Sequence, residues 1–387
     1  MRFREEYMHD LLLISAVVVY FIIGFWHCGH QGFWHDEIFT LTFLNGVSVY
    51  DFDGSAWMSI DGVSNVAHIK GVMAQDLFFE NLGTQLRHEG HPPLYFFILK
   101  IWSYCWGATE RALRIFSLFC GTTSFLVLFG VFRKYTKGRA AQTAVVILLL
   151  FNPFLFYFFT EARMYALAFL LACCSFRFWL DYNQNRILKS RSFFLYCLFS
   201  IALLYTHYYG VFFLTIIALM ELLKFGIQKS ILRHFIPLFL FLPWCLIVTS
   251  QLTFHAVHWT DGVLPFKESF IGFLGNISNL LLSPLRDVKM FEQVIVVCLC
   301  LVIFGALLTQ KRKRSVKLVI ITLAYFLQVY IFDQMNGRHT ILVPRYHVFF
   351  LIILLWYASK AFESLRRPIL IAVSFIYILA AGRAISL

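Results

Sequence analysis

The sequence predicts an all-α polytopic membrane protein, because its composition is unusually apolar and apolar runs recur along the whole chain. Of the 387 residues, 60% are hydrophobic and 14% are charged, whereas soluble globular proteins have about 45 to 50% apolar residues. Each run is long enough to cross a hydrocarbon core of about 30 Å as a helix. Because lipid offers the backbone no hydrogen-bond partners, these runs are expected to be helical.

The formal net charge of +12 at pH 7 comes from cations that cluster in short stretches between the apolar runs. Lysine and arginine concentrate in the cytoplasmic loops of membrane proteins, so these clusters indicate topology. The sequence has no separate basic domain and no nucleic-acid-binding motif, and nucleic acid is therefore not an expected partner. Most of the nine cysteines lie inside apolar runs, which favours small buried hydrophobic residues over a disulfide framework.

The positive-inside rule predicts about 11 transmembrane helices with a cytoplasmic amino terminus and an extracytoplasmic carboxyl terminus. The first span, about residues 11–26, follows two arginines and is interpreted as a retained signal anchor. This threading places every dense Lys/Arg cluster on one side of the membrane. The later spans are predicted near 109–131, 141–159, 163–180, 192–206, 208–223, 235–251, 292–309, between Lys317 and 333, between 345 and Lys360, and at 369–385.

Two long extracytoplasmic loops are predicted within a single transmembrane domain of residues 1–387, and no soluble carboxyl-terminal domain is expected. The first loop, 27–108, contains an apolar stretch at 92–107 that opens with a Pro pair. If this stretch crossed the membrane, all later basic clusters would lie outside, so we predict a juxtamembrane helix instead. The second loop, 252–291, also contains a stretch apolar enough to enter the interface.

Residues that could carry chemistry collect at the predicted outer ends of the helices, whereas a transporter would be expected to place ionisable residues within its spans. Carboxylates can act as a general base or hold a divalent metal, and Arg and His can bind a phosphate. This combination suits group transfer from a lipid phosphate, in which fixed cations stabilise the leaving anion. The candidates are Asp36, Glu37, His88, His91, Glu161, Arg163, His207, Tyr208, His255, His258, Asp261, Arg338, His339, Arg345 and Tyr346.

Four segments occur in an order typical of one enzyme class. Together they resemble the GT-C glycosyltransferases, and in particular the family 39-like superfamily of protein O-mannosyltransferases and aminoarabinose transferases. The resemblance covers about residues 10–180, and PRYHVFF at 344–350 is similar to a weaker Arg-Tyr motif near the end of such enzymes. The four segments are WHDEIFTL at 34–41, HPPLYFFIL at 91–99, ERALR at 110–114 and EARMYAL at 161–167.

The resemblance implies an integral membrane enzyme that takes a sugar from a polyprenyl-phosphate donor at the outer face, usually with inversion at the anomeric carbon. By position, Asp36 matches the catalytic carboxylate of the family, with Glu37 beside it, and Glu161 falls near a second acidic position. His91 stands where some relatives have a lysine that faces the donor phosphate. Many relatives also have a large extracytoplasmic carboxyl-terminal domain, so here the loops are expected to recognise the acceptor.

We therefore predict a mannosyltransferase-like enzyme of the cell envelope, in the bacterial inner membrane, that transfers a sugar to a lipid, glycan or protein acceptor. Asp36 would activate the acceptor as a base or with a divalent cation, Mg²⁺ or Mn²⁺, that Asp36 and Glu161 could hold. His91, Arg163 and Arg345, together with Tyr346, would bind the donor phosphate.

Two other functions stay open at this point, a flippase or transporter of lipid-linked saccharides and a structural membrane subunit. Two of the candidate groups also have simpler interpretations. His207 and Tyr208 are typical of an interfacial aromatic turn. The trio of His255, His258 and Asp261 has a spacing compatible with a metal site, but it matches no fixed motif.

Overall fold

The computed structural model describes residues 2–30, 32, 34–47, 76–185, 190–254, 260–282 and 312–385. Within these residues the chain is helical, and its β-structure is limited to an isolated bridge between Asp261 and Arg338. The predicted all-α polytopic membrane fold is confirmed. The predicted span at 292–309 lies outside the described residues, as do His255 and His258 of the proposed trio.

The described helices follow the predicted order of apolar runs. In chain order they are α1 (Arg2–His27), α2 (His35–Leu44), α3 (Leu82–His88), α4 (Leu94–Trp106), α5 (Glu110–Tyr135), α6 (Arg139–Leu150), α7 (Pro153–Phe159), α8 (Tyr165–Asn185), α9 (Arg191–Leu204), α10 (Gly210–Phe225), α11 (Phe235–Phe254), α12 (Phe266–Leu282), α13 (Arg312–Asn336), α14 (Phe350–Phe362) and α15 (Arg367–Ile385). Short 3₁₀ turns at Lys229–His234, Thr340–Leu342 and Pro344–His347 precede α11 and α14.

Five of the described helices are long and apolar enough to cross a membrane, and a bent pair could supply a sixth span. These five are the segments Met8–His27, Glu110–Tyr135, Tyr165–Gln184, Ile231–Gln251 and Arg314–Asn336. The shorter apolar helices α9, α14 and the first part of α15 coincide with three other predicted spans. The total of about 11 spans stays a prediction.

The bent pair corrects the predicted span at 141–159, which is not one continuous helix. Helices α6 and α7 meet at an angle of 52°. Pro153 occupies the first turn of α7, and a proline there cannot continue the hydrogen-bond ladder of the preceding helix. Asn152 caps α7 by accepting a hydrogen bond from Leu155 N at 2.9 Å and donates to Leu280 O at 2.8 Å. The break therefore ties α7 to the end of α12.

Helices α5, α8 and α14 form the centre of the bundle. Helix α8 packs against both α5 and α9, and α14 is buried along nearly its whole length. Gly121 in α5 allows a close approach, because a Cβ there would lie 2.2 Å from the ring of Phe159. The end of α7, and with it the chain that leads to Glu161, is thereby held directly against α5.

The predicted cytoplasmic ends of four helices meet at one end of the bundle. Arg133 in α5 lies 2.8 Å from Asp10 in α1. Lys134 lies 2.8 Å from Asp181 in α8, and Lys137 N donates to Glu363, just after α14, at 3.0 Å. These contacts agree with the alternation of helix directions that the charge pattern predicts. Which face is cytoplasmic stays a prediction.

Helix α4 confirms that residues 92–107 form a helix. Its 13 residues extend about 20 Å, which is short for a hydrocarbon core of about 30 Å. One side of α4 is buried in the protein, and Lys100 on that side donates to Leu44 O at 2.7 Å and to Asp76 at 2.8 Å. Helix α4 is thus bound to the end of α2. Its depth in the membrane stays a prediction.

Candidate active site

Asp36 and Glu37 stand in the first turn of α2, where backbone N–H groups have no intrahelical partner. Acidic side chains are favoured at this position because the helix dipole is positive there. Glu37 accepts a hydrogen bond from Trp34 N at 3.2 Å, which closes the start of the helix. The two neighbouring carboxylates then point to different surroundings.

Glu37 is fully buried. Both of its carboxylate oxygens accept hydrogen bonds from other residues of the protein. Arg114 in α5 binds both carboxylate oxygens, from Nε at 2.8 Å and from Nη2. Ala162 N also donates to Oε1 at 2.7 Å. These contacts join α2, α5 and the segment before α8, so Glu37 has the surroundings of a residue that positions the site.

Asp36 instead faces an arginine from the far end of the sequence. Arg345 Nη1 donates to Asp36 Oδ2 at 2.7 Å. The two side chains are 17% and 20% exposed, so an approaching substrate can reach both. A charge-assisted hydrogen bond of this kind orients the carboxylate as well as neutralising it.

Arg163 brings a second guanidinium to Asp36 from the buried side, where it binds the backbone carbonyl of Asp36 and not its carboxylate. Its side chain is only 4% exposed, and Nη1 donates to Asp36 O at 2.9 Å and to Thr40 Oγ1 at 3.1 Å. Its Nε has no hydrogen-bond partner among the described residues. A buried guanidinium with an unused donor is suited to bind an anion.

Glu161 is 5% exposed, and neither of its carboxyl oxygens has a hydrogen-bond partner of standard geometry among the described residues. Burial raises the pKa of Glu161 to about 8, and the charge of Glu37 adds to the effect. Tyr157, Arg163 and Arg345 oppose this shift in the pKa. Glu161 is therefore mostly protonated at neutral pH, which lets it donate a hydrogen bond that an ionised carboxylate could not.

Two histidines complete the cluster. His91 Nδ1 lies 2.6 Å from Glu89 Oε1, and the centre of its ring is 6.0 Å from that of His207. The His207 ring also lies 5.8 Å from Tyr346 and 5.6 Å from Tyr165. The predicted candidates Asp36, Glu161, Arg163, His91, Arg345 and Tyr346 thus come together at the end of the bundle opposite the basic cluster.

A network of buried hydrogen bonds holds the turns that carry Arg345. Asp333 in α13 accepts hydrogen bonds from Ile341 N at 2.8 Å and from the Thr340 hydroxyl. His347 donates from Nε2 to Ile341 O at 2.9 Å, and burial lowers the pKa of this histidine to about 4, so it is neutral. Arg345 itself lies 6.0 Å from the ring centre of Tyr165. These contacts pre-organise its guanidinium.

Residues 90–254 match the family model of dolichyl-phosphate-mannose-protein mannosyltransferases. This match supports a GT-C glycosyltransferase. Comparisons with curated proteins and with solved structures gave no match. The matched segment is less than half of the chain, and it contains His91, Glu161, Arg163 and His207 but neither Asp36 nor Arg345. The membrane glycosyltransferase predicted from the sequence is thereby supported as a class.

Some of the other candidates lie away from this candidate site. His339 approaches Gly262 O with Nδ1 at 3.3 Å, and Asp261 pairs with Arg338 through the backbone. Tyr208 bonds to Gln251 and accepts from Trp244 Nε1 at 2.9 Å, and so joins the turn before α10 to α11. These residues stabilise the loops around the site.

Among the residues that the structure describes, those of the candidate site do not form an evident metal centre. Within the described ranges no group of three or more His, Cys, Asp or Glu side chains is arranged to hold a metal ion. Asp36 and Glu161 could offer carboxylate oxygens, but the guanidinium groups of Arg163 and Arg345 already lie near both of them. A divalent cation would have to enter against those two positive charges. The predicted Mg²⁺ or Mn²⁺ site stays a prediction.

Proposed function

We propose that this protein transfers a sugar from a polyprenyl-phosphate donor to a hydroxyl or amine of a lipid, glycan or protein acceptor, with inversion at the anomeric carbon. The observation that carries the proposal is the contact between the carboxylate of Asp36 and Arg345, with the buried Arg163 bound to the backbone carbonyl of the same residue. A base and two fixed cations at one place are the groups that such a displacement requires.

In this reaction the acceptor oxygen or nitrogen forms a bond to the anomeric carbon while the bond from that carbon to the phosphate oxygen breaks. The electron pair of the broken bond leaves with the polyprenyl phosphate. Asp36 takes the proton of the acceptor, and the guanidinium groups of Arg345 and Arg163 stabilise the charge on the phosphate. A guanidinium has five N–H donors, so Arg345 can bind a phosphate oxygen while it retains Asp36.

The other residues support this chemistry in separate ways. Glu37 holds α2 against α5 and so fixes the direction of the neighbouring Asp36. Glu161, protonated near neutral pH, donates a hydrogen bond at the donor phosphate or the sugar. His91, held by its contact with Glu89, lies beside the site where the donor would bind. Tyr346 packs beside Arg345 and limits its movement.

We propose further that the site opens to the extracytoplasmic side of a bacterial inner membrane. The support is the separation of charge along the bundle, because the contacts of Arg133, Lys134 and Lys137 lie at the opposite end. Basic clusters favour the cytoplasmic side. The amino terminus would then be cytoplasmic and the carboxyl terminus extracytoplasmic.

The test is sugar transfer by the purified protein in lipid nanodiscs with defined polyprenyl-phosphate sugars, with the product identified by mass spectrometry. We expect Asp36→Asn to abolish transfer while the protein still folds. Asp10→Asn is the matched control, since Asp10 is ion-paired to Arg133 at the opposite end of the bundle, and it should keep full activity. Full activity in Asp36→Asn would contradict the proposal.

The same preparation separates the transferase from a flippase of lipid-linked saccharides. A flippase would move the labelled donor across the bilayer of a vesicle and leave its phosphate–sugar bond intact. The described residues favour the transferase, because the charged side chains of the five long helices lie in the turns near either end, except for Arg177, which lies 4.0 Å from Asp181. A transport path through the bilayer would be expected to use ionisable groups at mid-depth.

A further inference from the structure

His207 lies in the turn between α9 and α10 and is 2% exposed. Five aromatic rings surround it, those of His91, Tyr165, Tyr209, Tyr346 and Phe349, with centres between 5.5 and 6.0 Å away. Two of these neighbours, His91 and Tyr346, belong to the predicted site. The sequence places His207 in a segment typical of an interfacial turn, whereas the structure places it inside the cluster.

The hydrogen bond to one ring nitrogen determines which nitrogen carries the proton. Tyr209 N lies 3.2 Å from His207 Nδ1. A backbone N–H can only donate, so Nδ1 is the acceptor and the proton of the neutral ring is on Nε2. Burial lowers the pKa of His207, and the nearby His91, Arg163 and Arg345 lower it further, so the ring is neutral. His207 therefore presents an N–H donor at Nε2.

This Nε2 is buried and has no hydrogen-bond partner among the residues that the structure describes. Leaving a buried donor without an acceptor destabilises a fold, so such a group in a functional site is expected to meet an acceptor on a ligand. The charged groups that act on His207 are the guanidinium groups of Arg163 and Arg345. Positive surroundings of this kind favour an anionic acceptor over a neutral one.

We propose that His207 donates a hydrogen bond from Nε2 to a non-bridging phosphate oxygen of the polyprenyl-phosphate donor. This inference rests on the proposed function, since it assigns one further contact to the donor of that reaction. His207 would complete a set of three donors from different parts of the chain, with Arg163 before α8 and Arg345 before α14. The two guanidinium groups supply positive charge to the phosphate, and the neutral imidazole supplies a directional hydrogen bond to one of its oxygens.

The experiment measures the dissociation constant of farnesyl phosphate for the full-length protein in detergent, by isothermal titration calorimetry, with farnesol as the comparison ligand. His207→Phe keeps a ring but removes both nitrogens. His207→Asn retains an oxygen near the position of Nδ1, which can still accept from Tyr209 N, and lacks the Nε2 donor. His207→Gln reaches about as far as Nε2 with an amide N–H. Thermal unfolding of each variant shows whether it is folded.

We expect wild-type protein to bind farnesyl phosphate more tightly than farnesol. His207→Phe and His207→Asn should weaken the binding of farnesyl phosphate by about 10- to 100-fold, because hydrogen bonds to charged groups are worth about 1.5–3 kcal/mol. His207→Gln should stay within a few-fold of wild type. If His207→Phe does not fold, the contrast between the Asn and Gln variants decides the question.

Three results would overturn the inference, and they differ in what they say of the proposed function. Wild-type affinity in both His207→Asn and His207→Gln would exclude the phosphate contact and leave the proposed function intact. A loss of affinity for a sugar-loaded polyprenyl phosphate, titrated in the same way, without a loss for farnesyl phosphate would show that His207 binds the sugar instead. Equal affinity of the wild type for farnesyl phosphate and farnesol would count against the inference and against the proposed function together.

Discussion

Arg345 Nη1 lies 2.7 Å from Asp36 Oδ2, and this contact joins two residues that are 309 positions apart in the sequence. One follows the first membrane helix and the other precedes α14. A contact of this kind needs nearly the whole bundle to be assembled. Formation of the candidate site therefore depends on the packing of segments from both ends of the chain.

The ion pair predicts a strong effect of Arg345 on the rate of sugar transfer. Arg345→Met removes a fixed cation from the leaving phosphate, and we expect kcat to fall by about 100- to 1,000-fold. Arg345→Lys should recover only part of this loss, because an ammonium group cannot bind two oxygens in one plane. Initial rates with a polyprenyl-phosphate sugar measure the effect. Arg133→Met is the control, since Arg133 pairs with Asp10 at the other end. Equal rates in Arg345→Met and Arg133→Met would contradict the assignment.

Glu37 should matter for stability more than Asp36 does. Glu37→Gln leaves the charge of Arg114 buried without its anionic partner, and breaking such a pair destabilises a protein by about 3–5 kcal/mol. Asp10→Asn, which breaks a more exposed pair, should cost about 0–1 kcal/mol. Thermal unfolding in one detergent compares the three variants, with Asp36→Asn expected near wild type. A Glu37→Gln protein that unfolds like wild type but has no activity would instead give Glu37 a part in the chemistry.

The neighbours Asp36 and Glu37 show where sequence reasoning stops. Apolar runs and Lys/Arg clusters are local patterns, and they predicted the positions of the helices and the convergence of Asp36, Glu161, Arg163 and Arg345. The two adjacent carboxylates look equivalent in the sequence. Their difference depends on Arg114 and on the N–H of Ala162, which are tertiary contacts that a local pattern does not contain.

The sequence left the role of His207 open and did not predict the break between α6 and α7, for related reasons. A histidine in an aromatic turn is compatible with an interface and with a site, and only the ring contacts to His91 and Tyr346 distinguish the two. At the break, Asn152 and Pro153 form a helix-start signal within a continuous apolar run. A hydropathy pattern does not show this signal, although the residue types Asn and Pro indicate the start of a helix.

The two guanidinium groups predict the response to metal chelation. Arg163 and Arg345 can neutralise the leaving phosphate without a divalent cation, so we expect EDTA to leave the rate of transfer within about twofold of the untreated enzyme. The comparison is the same preparation after addition of Mg²⁺ or Mn²⁺. Loss of activity with EDTA and its recovery with Mn²⁺ would show that a cation shares the site with Asp36 and Glu161.

Glu161 predicts a dependence on pH, and its sign follows from the direction of the pKa shift. Burial raises the pKa of this carboxyl to about 8 in the folded protein, whereas an unfolded glutamate titrates near about 4.3. Between these values folding binds a proton, so the free energy of unfolding decreases as the pH rises from the lower value to the higher one. Above the folded pKa, Glu161 becomes a buried anion and loses its hydrogen-bond donor.

Glu161→Gln separates this effect from other titrations, because glutamine stays neutral and keeps an N–H donor. We expect wild-type activity to fall by about half near pH 8, with a further fall at higher pH, and the Gln variant to retain its activity across this range. The unfolding temperature of wild type should decrease between pH 5.5 and pH 8.5 relative to that of Glu161→Gln. Rates and unfolding curves at matched pH values measure both effects. An alkaline limb that persists unchanged in Glu161→Gln would assign the titration to a different group and contradict the role of protonated Glu161.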